Sequence, residues 1–317
     1  MIKENILLKP YTNYQIGGPA RFFSETSNLD ELKDDLAKWQ IMSLNLSAEE
    51  KKVFILGAGM NVLFNDDGFN GLVIRYKNNK IELLDNYQVK AGSNTTINEL
   101  NDFLINHSLS GFEWAGGLPG TVGGAVFGNA GAFGGETKDQ VKEVLSLDLQ
   151  TLENKNRNNA SCGFGYRTST FKEKLAQKEL ILEVIFQLKT GKKEEIKKAV
   201  EEKIAYRKER QPLDLPSAGS TFKNVPVESV SEEIKNKFND KIKNDPFPVI
   251  PAAVFLADAD LKGLKVGDAQ VSLKHPNFLV NIGKATASDV KELIKKVQVK
   301  VYEKYGVNLE TELIQPE

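Results

Sequence analysis

The sequence predicts an α+β chain of more than one domain, and three observations carry that reading. Short apolar strands alternate with helical stretches along a chain of 317 residues, longer than a single core usually serves. The glycine turn after the first buried strand runs on into more extended chain. A doubly wound dinucleotide-binding sheet would need a helix there, so that fold is excluded. Pro212 and Pro216 then punctuate the chain after a long charged helix and place a domain boundary near residue 210.

Taken in order, Leu29 to Gln40 has helical periodicity, with Asn28 as its cap. Val53 to Leu56 reads as a short buried strand, broken by Gly57-Ala58-Gly59-Met60-Asn61. Val62-Leu63-Phe64 reads as a strand, Asp66-Asp67-Gly68 as a turn, and Gly71 to Ile74 as another strand. Between Lys80 and Ala91 two short strands flank Asp85-Asn86, a hairpin signal. Thr96 to Asn106 reads as a helix. Val144 to Leu149 and Leu180 to Leu188 read as strands of one sheet, and Lys193 to Arg210 as a charged helix with a solvated face. Val227 to Asn244 has few large apolar residues and reads as a surface helix or mobile insertion. Ala252 to Ala257 is apolar, Phe278 to Asn281 reads as a strand, and a closing helix runs from near Ser288 to Tyr305, capped by Thr286 or Ser288.

Composition narrows the function. Hydrophobic residues make up 40% and charged ones 27%, with a net charge of −1. That balance excludes a general nucleic-acid or membrane-surface binder, so an anionic ligand must be held by local groups. Cys162 is the single cysteine and His107 and His275 the two histidines. No intrachain disulfide and no His/Cys metal cluster can be assembled from them. The start, MIKENILLKPYTNY, has no apolar leader core, and no apolar run reaches membrane-spanning length. A cytoplasmic protein is expected.

Five segments hold residue combinations that packing alone does not explain. Between Gly111 and Gly135 lie ten of the 25 glycines. Glycine weakens helix and strand alike, so such a run marks positive φ or a ligand lying against the main chain. It reads as a cradle of backbone N–H groups for a phosphate-bearing cofactor, and with Gly57–Asn61 it makes two loops suited to a pyrophosphate. An ordered loop without a ligand is the plain alternative. In the stretch from Cys162 to Ser169, Arg167 follows Gly165 and Tyr166, a placement fit for forked recognition of carboxylate or phosphate, or for simple exposure. In the stretch from Pro216 to Asn224, small residues leave the Ser220 hydroxyl accessible, with Lys223 and Asn224 close behind. No nucleophile elbow surrounds Ser220, so it reads as a proton donor or as part of a plain turn. Last, alternation in Leu309-Glu310-Thr311-Glu312 puts both glutamates on one face of a short strand.

Together and in this order, these segments resemble the UDP-N-acetylenolpyruvoylglucosamine reductase family over nearly the whole chain. The matching stretches are Tyr14-Gln15-Ile16-Gly17-Gly18-Pro19-Ala20, Leu56 to Asn61, Gly117-Leu118-Pro119-Gly120-Thr121-Val122-Gly123-Gly124 and Gly165-Tyr166-Arg167. They continue with Ala218 to Asn224, Leu261-Lys262-Gly263-Leu264, Ala269-Gln270-Val271-Ser272, Lys274-His275 and Asn277-Phe278. The resemblance implies an FAD-binding part of the vanillyl-alcohol-oxidase type in two pieces, residues 1–75 and 76–208. A C-terminal α+β substrate domain over 209–317 completes the implied fold. The short stretch from Phe171-Lys172 to Leu180, and the wording Gly128-Asn129-Ala130-Gly131-Ala132-Phe133-Gly134, look like the family's shorter, type II form.

The implied reaction is reduction of UDP-N-acetylglucosamine enolpyruvate to UDP-N-acetylmuramate for the bacterial cell wall. Non-covalent FAD is the hydride carrier and NADPH the hydride donor. The matching positions imply a catalytic trio of Arg167, Ser220 and Glu312. Arg167 and Glu312 would stabilise an enolate, the glutamate as a protonated acid, while Ser220 gives a proton to carbon with help from Lys223. Implied cofactor contacts are Gly57, Ala58, Gly59, Met60, Asn61, Gly117, Pro119, Gly120, Thr121, Gly123, Gly124, Asn129, Ala130 and Gly131. Implied substrate contacts are Tyr166, Lys223, Asn224, Lys274 and His275, the last equally readable as a structural histidine. A monomer is expected, without metal, nucleic acid or membrane.

Two features depart from the family pattern. Ile314 stands where an arginine associated with the flavin is usual, and a charged insertion lies between Asn224 and Pro251. A flavoprotein oxidase on the same scaffold and a nucleotide-sugar-binding protein without catalysis are the other readings. The glycine cradle offers no His or Cys for covalent flavin, and all three catalytic positions are present.

Overall fold

The computed structural model describes residues 1–245 and 247–316. The chain is shared between two units. One comprises Met1–Ile6, Ala20–Ala58 and Phe69–Arg207; the other comprises Leu7–Pro19, Gly59–Gly68 and Lys208–Glu317.

In the first unit, β1 (Lys3–Leu7), β2 (Pro19–Thr26), β3 (Val53–Ile55) and β4 (Phe69–Tyr76) form a sheet of order β1-β2-β4-β3. Both β2 and β3 run parallel to β4. Helix α1 (Leu29–Met42) starts where Asn28 accepts from Glu31 N at 2.9 Å, satisfying one of the amides a helix start leaves open. Its apolar face, Leu32, Leu36 and Trp39, packs with Phe22, Leu72 and Ile74 of the sheet.

Strands β5 (Ile81–Leu84) and β6 (Gln88–Gly92) form the expected hairpin, with Asn86 and Tyr87 at φ of 57° and 60°. Helix α2 (Ile97–Asn106) follows, closed at its start by a reciprocal box between Thr96 and Glu99. Strand β7 (Leu109–Ser110) leads into the glycine run, which holds α3 (Val122–Gly128), β8 (Gly131–Ala132) and the start of β9 (Gly135–Glu136). Strands β10 (Val141–Asp148), β11 (Asn154–Asn158) and β12 (Glu179–Gln187) join the hairpin in an antiparallel sheet of order β11-β10-β12-β6-β5. Helices α2 and α3 bury Leu100, Leu104, Val122 and Val126 with Val89, Val144 and Val184 of that sheet. Between β11 and β12 lies α4 (Thr170–Glu173); β13 (Lys189–Thr190) pairs with β7, and α5 (Lys193–Arg210) follows.

The second unit contains β14 (Ser217–Ser220), β15 (Val225–Pro226), α6 (Glu232–Lys237), β16 (Lys243–Asn244), β17 (Pro248–Ile250) and α7 (Ala252–Asp258). Then come β18 (Lys265–Val266), β19 (Ala269–Val271), β20 (Phe278–Asn281) and α8 (Ala287–Tyr305). Its sheets run β14-β20-β19-β18 and β15-β17-β16. Thr286, not Ser288, caps α8, and Gly306 ends it at φ 65°. Val290, Leu293, Val297 and Val301 of α8 fill the core. The Tyr14 motif is a staple in this unit: Tyr14 OH donates to Leu279 O at 2.7 Å, and Asn281 Nδ2 donates back to Tyr14 O at 3.3 Å.

Two expectations need correction. Val62-Leu63-Phe64 is extended but makes only a single bridge, Val62 to Ile314, and is no strand. The stretch from Val227 to Asn244 holds a helix exposed on its outer side, as expected, but it is anchored in the core and is no mere surface insertion. It contains α6, capped by Ser231, and buries Val230, Ile234 and Phe238 in the core. Ile234 and Phe238, four apart, share the inward face of α6, and Val230 enters the core from the extended chain before its cap, whatever the charge of the residues between them.

Candidate active site

The first unit brings the two glycine loops together. A Cβ built on Gly57, just after β3, would stand 3.1 Å from Thr121 Oγ1 in the glycine run and close to nothing else. Thr121 caps α3, accepting from Gly124 N at 3.4 Å, while Val122 N and Gly123 N donate to Thr95 O and Ser93 O, each at 2.8 Å. The loop is thus fixed from behind by main-chain bonds to the segment between β6 and α2. None of the described residues accepts from the N–H of Gly57, Ala58, Gly120 or Thr121.

The glycines of the run fall into two sets. A Cβ on Gly116 would lie 2.5 Å from Val200 O, on Gly123 3.0 Å from Ser93 Cβ, and on Gly135 2.4 Å from the Trp114 ring. Those positions are glycine because the protein itself closes on them. A Cβ on Gly120, Gly128 or Gly134 would meet nothing within 4 Å, and on Gly124 only Thr121 Oγ1 at 3.5 Å. Positive φ calls for glycine at Gly120 (116°) and Gly134 (81°); at Gly124 and Gly128 neither φ nor packing does. Bare backbone on the open side and uncommitted amides are what a pyrophosphate-bearing dinucleotide needs, so the residues present fit one.

A second arm leads from the run to Arg167. Asn129 ends α3 at φ 43° and is buried. Its Nδ2 donates to Gly165 O at 2.9 Å, and its Oδ1 accepts from Lys138 N at 3.0 Å. Gly165 and Thr168 exchange backbone bonds, leaving Tyr166 and Arg167 at the tip of a tight turn with Arg167 at φ 57°. Arg167 Nη2 donates to Gly131 O at 2.8 Å and its guanidinium lies 5.0 Å from the Tyr166 ring centroid. Asn129, Ala130 and Gly131 therefore tie the glycine run to the turn that carries the arginine.

The second unit holds Gly59, Met60 and Asn61. A Cβ on Gly59 would fall 2.1 Å from Tyr11 O, so this glycine is required by close backbone approach. Asn61 Nδ2 donates to Glu312 O at 3.0 Å, Ile314 N to Asn61 O at 3.1 Å, and Leu63 N to Ile314 O at 2.9 Å. Ile314 is therefore zipped by its backbone beside this loop.

Ser220 ends β14 opposite Phe278, after a register shift at Gly219, whose φ is 75° and whose missing Cβ would meet nothing within 4 Å. Glu312 lies on the neighbouring extended segment, its N–H donating to Thr221 O at 2.8 Å. The second unit thus sets Ser220 and Glu312 on adjacent stretches of chain. Asn277, buried, accepts from Phe222 N and donates to Phe222 O, fixing the segment between them. Lys223 Nζ pairs with Glu310 at 3.1 Å. Asn224 Oδ1 accepts from Ala252 N at 3.3 Å at the start of α7, and Lys274 Nζ donates to Lys208 O at 2.7 Å. His275 packs edge-on against Phe278 at 5.0 Å. Burial, helped by the charges of Lys262 and Lys243, holds its pKa below the ordinary value. Among the described residues no cluster of three or more His, Cys, Asp or Glu could hold a metal.

Known proteins give this geometry a family. The chain is 37% identical over 309 residues to the UDP-N-acetylenolpyruvoylglucosamine reductase of Caldanaerobacter subterraneus subsp. tengcongensis, covering 96% of this chain and 90% of the relative. The chain belongs to the UDP-N-acetylenolpyruvoylglucosamine reductase family. The reductase of that name from Clostridium novyi is 35% identical, with 98% and 91% covered. Residues 211–315 match the profile of this reductase's C-terminal domain, and residues 43–151 match an FAD binding domain. The crystal structure of the reductase from Thermus caldophilus is similar over 100% of both chains, with a TM-score of 0.77 and 31% identity. These matches bear out the α+β class with an FAD-binding domain and a reductase C-terminal domain.

One residue beside the reductase cradle escaped sequence reasoning. Arg207, on the C-terminal half of α5, is 6% exposed; its Nε donates to Gly116 O at 3.0 Å. Nothing in a charged helical run separates the one inward arginine from its solvated neighbours.

Proposed function

We propose that this chain catalyses the NADPH-dependent reduction of UDP-N-acetylglucosamine enolpyruvate to UDP-N-acetylmuramate, a step of peptidoglycan synthesis, as an FAD-dependent oxidoreductase. The likeness of 37% across 96% of the chain to an enzyme named for that substrate carries the reading. The abutting glycine loops support the cofactor.

Bound FAD supplies hydride-transfer chemistry that no side chain possesses. Gly57, Ala58, Gly120 and Thr121, whose N–H groups are uncommitted among the described residues, would donate to its pyrophosphate, while Gly117, Pro119, Gly123 and Gly124 would line the cradle. Gly59, Met60, Asn61, Asn129, Ala130 and Gly131 would complete the contacts.

Reducing the enolpyruvyl double bond adds a hydride to one carbon and a proton to its neighbour, and negative charge spreads into the carboxylate. Arg167, a permanent cation with forked donors, is suited to that charge, and Glu312 would share the task. Ser220 Oγ–H would deliver the proton, with no side chain on Gly219 in its way. Tyr166, Lys223, Asn224, Lys274 and His275 would meet the nucleotide sugar, Lys223 and Lys274 exchanging their present partners for phosphate oxygens. The domain division 1–75, 76–208 and 209–317 belongs to this reading, as does a cytoplasmic monomer. No helix among the described residues is long and apolar enough to cross a membrane.

The test is NADPH oxidation in one-to-one stoichiometry with added enolpyruvyl substrate, followed by the two half-reactions in Ser220→Ala. The variant is expected to accept hydride from NADPH at the wild-type rate. Reoxidation by substrate should be slower by about a hundredfold or more, the usual loss of one preorganised group. NADPH oxidation indifferent to the substrate would refute the activity, and a wild-type second half-reaction would refute the role of Ser220.

A further inference from the structure

Arg207 is buried, and no carboxylate among the described residues pairs with it or with Lys203, one turn before it on α5. Its pKa is held below the ordinary arginine value by burial alone, yet a guanidinium remains charged at any working pH. An unneutralised buried charge is costly in a ligand-free fold, so its retention calls for a partner or a purpose.

Its surroundings belong to the glycine run. Nε donates to Gly116 O at 3.0 Å, and a Cβ on Gly117 would lie 3.3 Å from Arg207 Cδ. The guanidinium sits 5.2 Å from the ring centroid of Phe133, with Lys203 Nζ at 5.1 Å from the same centroid. Phe133 occupies the tip of the β8–β9 hairpin, at φ 53°, followed by Gly134 at φ 81°. One side chain thus grips the entry of the Gly117–Gly124 loop and the hairpin that follows α3. Nη2 is buried with no hydrogen-bond partner among the described residues, which leaves the ring as its neighbour and its charge unspent.

We infer that Arg207 is a positioning residue for the flavin dinucleotide, clamping both arms of the glycine cradle and setting an uncompensated positive charge beneath them. The inference rests on the FAD reading of the cradle. Its ligand chemistry is that of an anion, which the pyrophosphate and the reduced flavin ring can each provide. In a site shielded from water such a charge acts through space without touching the anion.

The experiment titrates FAD into deflavinated wild type, Arg207→Met and Arg207→Lys, following flavin fluorescence, the Tm of each ligand-free protein and the midpoint potential of each loaded one. Arg207→Met is expected to bind FAD about tenfold to a hundredfold more weakly, because the through-space charge and the tie to Gly116 O are both lost. Its ligand-free Tm should not fall, because a buried unpaired charge has been removed. Arg207→Lys should recover most of the affinity. A loss of affinity at unchanged potential assigns the charge to the pyrophosphate. A more negative potential assigns it to the reduced ring. Variants that bind FAD like wild type at an unchanged potential would overturn the inference. So would lysine and methionine variants equally weak and equally unstable without ligand, because Arg207 would then only hold the fold. Wild type that takes up no FAD would overturn the cradle reading as well.

Discussion

Two arginines of the first unit make an instructive pair. Arg157, on β11, is bound in two places by Glu179, at 2.5 and 2.7 Å, with Ser146 Oγ bridging at 2.9 Å to the arginine and 2.6 Å to the glutamate. Its guanidinium lies 5.6 Å from the Phe171 ring centroid. Charge, hydrogen bonds and packing are all satisfied within the sheet, and nothing is left over for a ligand. Arg207 has the ring and one carbonyl but no acid. The first arrangement is self-sufficient, whereas the second is complete only with an anion nearby. Buried charge alone does not mark a functional residue; buried charge without its counter-charge does.

The contrast can be broken at three places. The largest effect is expected from Glu179→Ala, which would strand Arg157 without its acid. Denaturant unfolding should show a loss of about 2–3 kcal/mol, less than for a fully buried pair because Arg157 is only partly buried, while FAD affinity in the folded protein stays unchanged. A loss confined to FAD affinity would show that the two arginines had been assigned the wrong way round. A smaller effect is expected from Phe133→Ala, whose ring is 40% exposed. Removing it should lower stability by about 1 kcal/mol or less, as for a partly solvated cation–ring contact. FAD affinity should weaken in the same direction as in Arg207→Met, and unchanged affinity would detach the hairpin from the cradle. The third and smallest perturbation adds a single methyl group inside the cradle.

Much of this architecture was legible because local signals are strong where they occur. Asn28, Thr96 and Thr286 each precede a helix with an acid in its first turn, and each caps it. The Lys193–Arg210 helix has the predicted bounds, since no glycine or proline interrupts it. Helix α3 was hidden, because VGGAVFG carries three glycines that would melt it in isolation. Tertiary packing of Val122, Ala125 and Val126 supplies what propensity lacks. The stretch 227–244 misled for the opposite reason: its average is polar, but three apolar residues placed to reach the core suffice. In the site, residue chemistry pointed to Arg167, Ser220 and Glu312. The supporting bonds of Asn129, Asn224 and Asn277 join residues far apart in sequence, which one chain read alone does not pair.

Gly124 and Gly128, the glycines of the run that neither packing nor positive φ requires, are held to be bare for the cofactor. Gly124 tests this most directly, since it is exposed, helical and free of positive φ. Alanine there should stabilise the ligand-free protein, by up to about 1 kcal/mol from helix propensity. The measurement is the FAD dissociation constant of Gly124→Ala beside its ligand-free Tm. Gly124→Ala should show a raised or unchanged Tm with clearly weaker FAD binding. A variant that is as stable and binds FAD as tightly as wild type would contradict that role for the glycine.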